Sequence, residues 1–260
     1  MGFSAAWLEL REPADHAARD NALLADAAIA AGENPVIVDL GCGTGSTIRA
    51  FEGRLARPAE WRLIDNDPEL LAHAATAATG RDDSATTHRI DLRELDALPL
   101  HGAGLVTASA LLDLCSHDWV KALADRLSRY KLPFYAALNY DGQMDWTPAD
   151  PADAIVTRAF NTHQRGDKGF GPALGPDAAD AIAKIFTAAG YSVLQAESPW
   201  RLGSSEAALQ RELVTGIADA AHQAGAAEAL GWGALRSGNV DSAACRIGHR
   251  DLLALPAGAA

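Results

Sequence analysis

The amino-acid sequence predicts an α/β fold: one sheet of seven mostly parallel strands, with helices on both faces and an antiparallel last strand. Two features of the 260-residue chain predict this fold. Short, continuous apolar runs such as "PVIVDL", typical of strands that are buried on both faces, alternate with segments of helical periodicity. A loop with three glycines directly follows this first run, as it does at the ligand-binding edge of an open parallel sheet.

The elements follow in order along the chain. Pro13 suits the first turn of a helix over 13–31, and Asp67 is a suitable N-cap for a helix over 67–78. The other helices are predicted at 46–56, 118–130, 151–163, 177–189 and 204–224. Strands are predicted at 35–40, 61–65, 86–90, 104–112, 133–140, 191–198 and 245–255. A polar loop is expected at 141–151, and the segment 225–244 is left without an assignment.

Composition and charge argue against several classes of protein. The formal net charge is −12 and no run of Lys or Arg occurs, whereas a nucleic-acid-binding protein needs clustered cations for the phosphates. No apolar stretch approaches the ~18 residues of a membrane span, and no secretory signal is visible at the start. The three cysteines and eight histidines are scattered, so we predict neither disulfides nor a metal site. We expect a cytoplasmic protein.

The glycine loop "DLGCGTGS" predicts a site for a cofactor that contains a nucleoside. Gly41, Gly43 and Gly45 allow positive φ and a close approach of the ligand, and the following helix directs free N–H groups at the loop. The dinucleotide fingerprint GxGxxG is not met, because Ser46 stands where its last glycine would be. The carboxylate of Asp39 precedes the glycines and suits a cationic ligand group, such as a sulfonium or ammonium, better than a pyrophosphate.

A second carboxylate, Asp65, ends the second predicted strand about twenty residues after the loop, where it can accept hydrogen bonds from both ribose hydroxyls. Taken together, "VDLGCGTGS" and "WRLIDNDPELL" resemble the cofactor site of class I S-adenosylmethionine-dependent methyltransferases, over roughly residues 34–115. The resemblance implies a Rossmann-like fold and S-adenosylmethionine as the cofactor. It implies that Asp39 and Gly41 lie beside the methionine moiety and that Asp65 binds the ribose.

The same resemblance implies the rest of the cofactor site. Asn66 would flank the adenine, Asp91 would meet the adenine amine, the Leu92 N–H would be donated to the adenine, and Ser109 would lie beside the cofactor. The full set of predicted cofactor-binding residues is Asp39, Gly41, Cys42, Gly43, Gly45, Asp65, Asn66, Asp91, Leu92 and Ser109. Structural alternatives stay open: Asp39 as a strand-end cap, Asp91 as a turn residue, and Cys42 as a small filler of the loop.

Methyl transfer from a sulfonium is an in-line displacement, in which alignment is worth up to ~7–11 kcal/mol and a general base adds ~10²–10⁴-fold. Candidates for the base lie after the fourth and fifth predicted strands: Asp113, His117, Tyr140 and Asp141. His117 equally suits an exposed position at the start of a helix. The sequence "LNYDG" lacks the two prolines of (D/N)PP(Y/F), which argues against methylation of adenine N6 or of glutamine.

Substrate-binding candidates lie in the N-terminal helix and in the glycine-rich loop "NTHQRGDKGFGPALGP": Arg11, His163, Arg165 and Lys168. The loop is interpreted either as a lid over the substrate or as a solvated charged loop. Its cations suit a carboxylate or phosphate, whereas the acidic and aromatic residues at 141–146 suit a cationic amine. A zwitterion would satisfy both groups.

The sequence therefore predicts a single methyltransferase domain over 1–260, with an N-terminal helical cap (1–33), a cofactor-binding core (34–140) and substrate-side helices with closing strands (141–260). The predicted function is S-adenosylmethionine-dependent methyl transfer to a small polar metabolite. One alternative is an NAD-dependent oxidoreductase with a shortened glycine fingerprint, although no YxxxK motif is present. The other is a non-catalytic protein that binds the cofactor.

Overall fold

The computed structural model describes residues 3–56, 58–79 and 82–258, so the outermost residues of the predicted domain lie outside the described part. Its strands are β1 Val36–Leu40, β2 Glu60–Asp65, β3 Ser84–Arg89, β4 Leu105–Ser109, β5 Phe134–Thr147, β6 Tyr191–Glu197, β7 Trp200–Leu202 and β8 Ala244–Pro256. Its helices are α1 Ala5–Ala18, α2 Asn21–Ala30, α3 Ser46–Ala50, α4 Pro68–Thr79, α5 His117–Tyr130, α6 Asp153–Gln164, α7 Ala178–Ala188, α8 Ala207–Gln223 and α9 Ala229–Gly238.

The strands form one sheet in the order β3-β2-β1-β4-β5-β8-β6, and β7 pairs with β8 beside this path. Strands β1 to β5 are parallel, and β8 runs antiparallel to β5, β6 and β7. The predicted mostly parallel α/β sheet with an antiparallel last strand is confirmed. The additional strand β7 has three residues, too few to show a period in the sequence.

The strand order reverses at β1, which has β2 on one side and β4 on the other. In an open parallel sheet the loops leaving two such strands diverge and open a crevice at their carboxyl ends. The backbone turns sharply there: Gly41 follows β1 with φ +63°, and Ala110 follows β4 with φ +49°. The topology therefore puts the glycine loop and the segment after β4 on opposite sides of one crevice.

The N-terminal segment differs from the single helix predicted over 13–31. The Ser4 Oγ caps α1 by accepting a hydrogen bond from the Trp7 N–H at 3.2 Å, and Asp20 caps α2 by accepting one from the Leu23 N–H at 2.8 Å. Pro13 lies inside α1 rather than in its first turn. The prediction was wrong because two separate side-chain caps divide the segment, and the first cap lies well before the proline.

The second half of the chain contains the other departures. The predicted polar loop 141–151 is in part the continuation of β5, which pairs with β8 as far as Thr147 across two register shifts. The unassigned segment 225–244 contains α9, whose buried Trp232 packs edge-to-face on Trp146 at a centroid distance of 5.0 Å. The helix predicted over 46–56 is only the short α3. Within the described ranges, no helix is both long and apolar enough to cross a bilayer.

The core lies on both faces of the sheet. On one face, α5 and α7 pack on the sheet through side chains such as Leu123 and Phe186, the latter stacked on Phe134. On the other face, α2 and α4 pack around Trp61. A third cluster, beneath α6, α8 and α9, supports the extension of β5 and β8. These layers hold the carboxyl ends of β1, β2 and β4 in fixed relative positions.

Candidate active site

A cavity of about 390 Å³ opens at the carboxyl ends of β1, β2 and β4. This volume lies in the usual range for small-molecule sites, about 300–1,000 Å³. Ten of the predicted site residues line it: Arg11, Gly41, Cys42, Gly43, Asp65, Asn66, Asp91, Leu92, Ser109 and Lys168. The structure thus brings residues from α1, the glycine loop, the ends of β2, β3 and β4, and the loop after α6 to one place.

The glycines of the loop have different roles. Gly43 has φ +52°, and a Cβ added there would lie 3.0 Å from Leu8 Cδ1 of α1. Gly45 has φ +85°, and an added Cβ would lie 2.9 Å from the Ala77 Cβ of α4. Gly45 lies outside the cavity lining, so its missing side chain allows the loop to pack on α4, whereas Gly41 and Gly43 border the cavity.

Cys42 lies between these glycines, and its N–H donates to the Ile64 carbonyl at 2.9 Å. Burial raises the pKa of the Cys42 thiol, and the nearby carboxylates raise it further. A thiol of this kind stays protonated and is a poor nucleophile. The residue is therefore a small, buried part of the cavity wall, in agreement with its interpretation as a filler.

Asp65 is held in place by backbone groups. Its Oδ2 accepts a hydrogen bond from the Gly43 N–H at 3.1 Å, and its Oδ1 accepts one from the Asp67 N–H at 3.0 Å. Each carboxylate oxygen can accept a further hydrogen bond, because it carries two acceptor positions. The carboxylate faces the cavity with a fixed orientation and unused capacity, which is what a ligand with adjacent hydroxyls requires.

Asp39 is buried behind the glycine loop rather than in the cavity lining. Its Oδ1 accepts a hydrogen bond from the Thr107 hydroxyl at 2.7 Å, and its Oδ2 has no hydrogen-bond partner among the described residues. Burial raises the pKa of Asp39 to about 6, against the opposing effects of Thr107 and of the Arg19 guanidinium. A cation bound nearby would favour the ionised carboxylate, so the residue fits a ligand with a positive centre.

The side of the cavity formed after β3 offers a carboxylate and a free amide. Hydrogen bonds from Arg93 lower the pKa of Asp91 to about 2, so this carboxylate stays ionised but is shared with the arginine. The Leu92 carbonyl accepts a hydrogen bond from the Trp119 indole at 2.8 Å, which holds the turn. The Leu92 N–H has no acceptor among the described residues. Asn66, at the end of β2, has an exposed side chain beside this turn.

Sequence reasoning missed a buried network behind the cavity. The Arg11 guanidinium binds Asp15 through two hydrogen bonds of 2.9 and 3.1 Å, and both residues line the cavity. The Trp200 indole donates to the same carboxylate at 2.9 Å, and Arg11 stacks on the Trp200 ring at 4.8 Å. The i,i+4 spacing of Arg11 and Asp15 was visible in the sequence, but Trp200 carried no local signal. Arg11 is thus held rigidly at the cavity wall.

A second buried arginine of the N-terminal segment lies beside β4. Arg19 donates from Nη2 to the Ser109 Oγ at 2.9 Å, and Ser109 lines the cavity. This contact fixes the hydroxyl of the predicted cofactor-binding serine.

The catalytic candidates are distributed unevenly. Asp113 lies in the turn Leu112–Leu114, between Leu111 and Leu114 of the cavity lining. Tyr140 is buried, and its hydroxyl donates to the Asn161 Oδ1 at 2.7 Å. The Asp141 carboxylate packs on Gly248 of β8 and accepts the Gln143 N–H at 3.0 Å, so it stabilises the irregular part of β5. The side chain of His117 is 62% exposed at the start of α5, away from the cavity.

Of the substrate-binding candidates, Arg11 and Lys168 reach the cavity and two others do not. Arg165 is exposed and forms an ion pair with Asp177 at 2.9 Å. His163 is half-buried, and its Nδ1 lies 3.3 Å from the Lys168 Nζ, so it supports the lysine rather than the cavity itself. Phe170 lines the cavity and packs edge-to-face on Trp119, which ties this loop to α5.

Comparison with known proteins agrees with this geometry. Residues 37–131, from β1 to the end of α5, match the family model described as "Methyltransferase domain". The cyclopropane synthase MmaA2 from Mycobacterium tuberculosis is similar in structure, with a TM-score of 0.54 and 12% sequence identity over 97% of this chain and 94% of that chain. The YcgJ protein from Bacillus subtilis has a TM-score of 0.51 and 12% identity over 91% of this chain and 98% of that chain.

Another similar structure is the mycolic acid cyclopropane synthase CmaA1 in complex with SAH, S-adenosylhomocysteine. Its TM-score is 0.50 and its identity 12%, over 89% of this chain and 83% of that chain. At such identities the likeness concerns the fold. No curated protein matches the chain in sequence.

The family match assigns residues 37–131 to a methyltransferase domain. The strand order and the cavity at the switch between β1 and β4 agree with the Rossmann-like fold that the similar solved structures share. The resemblance seen in the glycine loop is confirmed, and the oxidoreductase alternative finds no support. The roles of individual residues stay predictions.

Proposed function

We propose that this chain transfers the methyl group of S-adenosylmethionine to a small polar metabolite inside the cavity after β1 and β4. The observation that carries the proposal is the position of Asp65, whose two carboxylate oxygens are fixed by backbone N–H groups beside Gly43 and still have acceptor capacity toward the cavity. When bound, the cofactor supplies an electrophilic methyl carbon on a sulfonium.

The chain's own residues would bind and orient this cofactor. Asp65 would accept hydrogen bonds from the ribose hydroxyls, and the Leu92 N–H with Asp91 and Asn66 would contact the adenine. Gly41 and Gly43 would allow the backbone to approach the methionine moiety. The buried carboxylate of Asp39 would stabilise the positive charge near the methyl group. The remaining cofactor candidates, Cys42, Gly45 and Ser109, would shape the loop and the wall.

Three features support a small acceptor. The cavity of about 390 Å³ is lined by Arg11 and Asp15 of α1 and by Lys168 and Phe170 of the loop after α6. A rim made from two separate segments suits a metabolite better than an extended polymer. The net charge of −12 opposes the phosphates of a nucleic acid, in keeping with the expectation from the sequence.

The test is calorimetric titration of the purified protein with S-adenosylmethionine, SAH and NAD in parallel. We expect micromolar binding of the first two and no heat with NAD. Transfer of label from S-[methyl-³H]adenosylmethionine to a panel of small amines, hydroxyl compounds and carboxylates then identifies the acceptor class. Binding of SAH without transfer to any small acceptor, but with transfer to protein or RNA, would contradict the proposal of a small metabolite.

A further inference from the structure

One end of the cavity holds an unpaired cation. Lys168 lines the cavity, and its ammonium lies 3.3 Å from the His163 Nδ1. Within the described ranges, no carboxylate lies within ion-pair distance of this ammonium. Burial lowers the pKa of Lys168, while the negative charge of Asp113 opposes that shift. The ammonium is therefore partly desolvated and lacks a counterion.

An unpaired carboxylate lies at the same end. Asp113 is flanked by Leu111 and Leu114, which line the cavity, and its Oδ1 is buried with no hydrogen-bond partner among the described residues. A buried acceptor without a donor is costly, about 1–3 kcal/mol in typical proteins, so such atoms commonly have a partner that is a ligand or water.

The two groups are within electrostatic range of each other. Burial raises the pKa of Asp113 to about 6, and the charges of Arg11 and Lys168 oppose this rise. The other titratable groups facing Asp113 are Tyr140 of β5 and Cys115 of the same turn, and Asp113 raises the pKa of each.

Arg11 does not neutralise Asp113, because two hydrogen bonds already commit its guanidinium to Asp15. The site therefore presents one free cation in the cavity lining and, between Leu111 and Leu114 of that lining, a partly exposed carboxylate with one unpaired oxygen. A ligand that satisfies both must carry an anion and, close to it, a group with an N–H or O–H.

We propose that Lys168 and Asp113 form the acceptor subsite, and that the acceptor is a small carboxylic acid with a nucleophilic hydroxyl or amine. Lys168 pairs with the carboxylate of the acceptor, and Asp113 accepts the proton of its nucleophile. The inference rests on the proposed function and adds to it the class of acceptor and the two residues that select it.

The chemical step balances with these groups. A lone pair of the acceptor oxygen or nitrogen forms a bond to the methyl carbon, and the carbon–sulfur bond breaks with its electron pair passing to sulfur. The proton of the hydroxyl or amine passes to the Asp113 carboxylate. The positive charge of the sulfonium is thereby discharged, and no oxidant or reductant is needed.

The first experiment measures binding. Wild type, Lys168→Met and Asp113→Asn are titrated with SAH, and the SAH complexes are then titrated with hydroxybenzoates and α-amino acids, each beside its own methyl ester. We expect all three proteins to bind SAH equally. In wild type at least one acid should bind roughly tenfold or more tightly than its ester, and Lys168→Met should remove that preference. Lys184→Met, on the exposed face of α7, is the matched control and should behave as wild type.

The second experiment measures turnover of the acid that binds. We expect Asp113→Asn to lower kcat by about 10²–10⁴-fold with little change in KM. Wild-type kcat, measured with S-adenosylmethionine at saturating concentration at each pH, should rise through about pH 6 as Asp113 deprotonates, and this rise should vanish in the variant. Asp118→Asn, at the exposed start of α5, should leave kcat and the pH profile unchanged.

Three results would overturn the inference. Equal binding of acids and esters would remove the role of Lys168. Loss of SAH affinity in Lys168→Met or Asp113→Asn would mean that these groups hold the amino-acid end of the cofactor instead of the acceptor. An unchanged kcat in Asp113→Asn would remove the base. Absence of SAH binding by wild type would overturn the proposed function itself, and it is recognisable because it occurs before any acceptor is added.

Discussion

At the scale of single residues, Asp65 is the most constrained group of the cavity. Its two hydrogen bonds to the N–H groups of Gly43 and Asp67 orient the carboxylate before any ligand arrives. A preoriented acceptor contributes more to binding than a mobile one, because its entropy is already lost in the free protein.

Asp65→Ala should therefore weaken SAH binding by about 1.5–3 kcal/mol, the loss of charge-assisted hydrogen bonds to the ribose. This corresponds to a rise in Kd of roughly 10- to 150-fold, measurable by calorimetry. Asp118→Ala, whose carboxylate is exposed at the start of α5, is the control and should bind as wild type does. An unchanged Kd in a folded Asp65→Ala protein would remove Asp65 from the ribose site.

Asp39 leads to a prediction about pH. Burial raises the pKa of its carboxyl to about 6, so the free protein takes up a proton there below that pH. A bound sulfonium favours the ionised form, and binding must then release the proton. The affinity for S-adenosylmethionine should rise from pH 5 to about 6.5 and then level off, by up to about tenfold per pH unit below 6.

Titrations at pH 5, 6 and 7 check this behaviour. SAH lacks the sulfonium charge and should show a weaker dependence. Asp39→Asn should abolish the difference between the two ligands, while Asp113→Asn, which removes the other carboxyl with a pKa of about 6, should retain it. A dependence that persists in Asp39→Asn would show that another group is responsible.

At the scale of elements, a buried carboxylate joins three parts of the fold. Asp251 of β8 accepts hydrogen bonds from the Leu138 N–H at 2.8 Å, the Asp20 N–H at 3.0 Å and the Tyr135 hydroxyl at 3.1 Å. Leu138 has φ +56° and lies at a register shift of β5, where the regular ladder to β8 is interrupted. The side chain of Asp251 thus replaces backbone hydrogen bonds at the irregularity and anchors the start of α2.

Asp251→Ala would leave two buried donors and one partly buried donor without an acceptor. We expect a loss of at least about 3 kcal/mol in the free energy of unfolding, measured by urea denaturation. Asp180→Ala removes an exposed partner of Arg250 and should change stability by no more than about 0.5 kcal/mol. A similar stability for both variants would mean that water replaces the carboxylate of Asp251.

At the scale of the whole molecule, His249 lies where β5, β7 and β8 meet. Its ring packs against the Trp200 ring at 5.3 Å and the Tyr140 ring at 6.2 Å. Burial and, to a smaller extent, the charge of Arg11 lower the pKa of His249 to about 3, so the imidazole stays neutral in the folded protein. In the unfolded chain it protonates near its ordinary pKa of about 6.5.

This difference makes the fold sensitive to acid. As the pH falls from about 6.5 toward 3, the unfolded state gains a proton that the folded state does not, and stability falls by up to about 1.4 kcal/mol per pH unit. Asp39 and Asp113 act in the opposite sense, because their raised pKa values stabilise the fold below about pH 4 and this contribution is lost as the pH rises to about 6.

Comparison of variants separates these effects. Urea denaturation of His249→Gln at pH 7 and pH 5 should show a smaller loss of stability on acidification than wild type shows. His117→Gln removes an exposed imidazole, and this variant should lose as much stability between pH 7 and pH 5 as wild type does. If His249→Gln and wild type lost equal amounts of stability on acidification, this would show that His249 can be protonated in the folded state.

Secondary structure was predictable where local patterns are complete. The strand β1 follows from a continuous apolar run, β2 and β4 follow from short segments rich in apolar residues, and α4 follows from Asp67 with Pro68. The short β7 and the continuation of β5 past residue 140 were not predictable from the sequence. Their residues show no strand pattern of their own and adopt an extended backbone because they pair with β8. Helix α9 was not predicted because its glycines give the segment a low helix propensity. Its stability comes from packing on α8.

The sequence by itself determined the fold class and predicted the cofactor, since Asp39 lies near the end of β1, the glycine loop follows that strand, and Asp65 ends β2. Only the tertiary structure decided which other side chains share the cavity. It brought Arg11 and Lys168 into the cavity lining, with Asp113 between two residues of that lining, and left His117 and Arg165 at the surface. The physical reason is that contacts between distant segments depend on the packing of whole helices, such as α1 on β7 through Asp15 and Trp200, and such packing has no local signature in the chain.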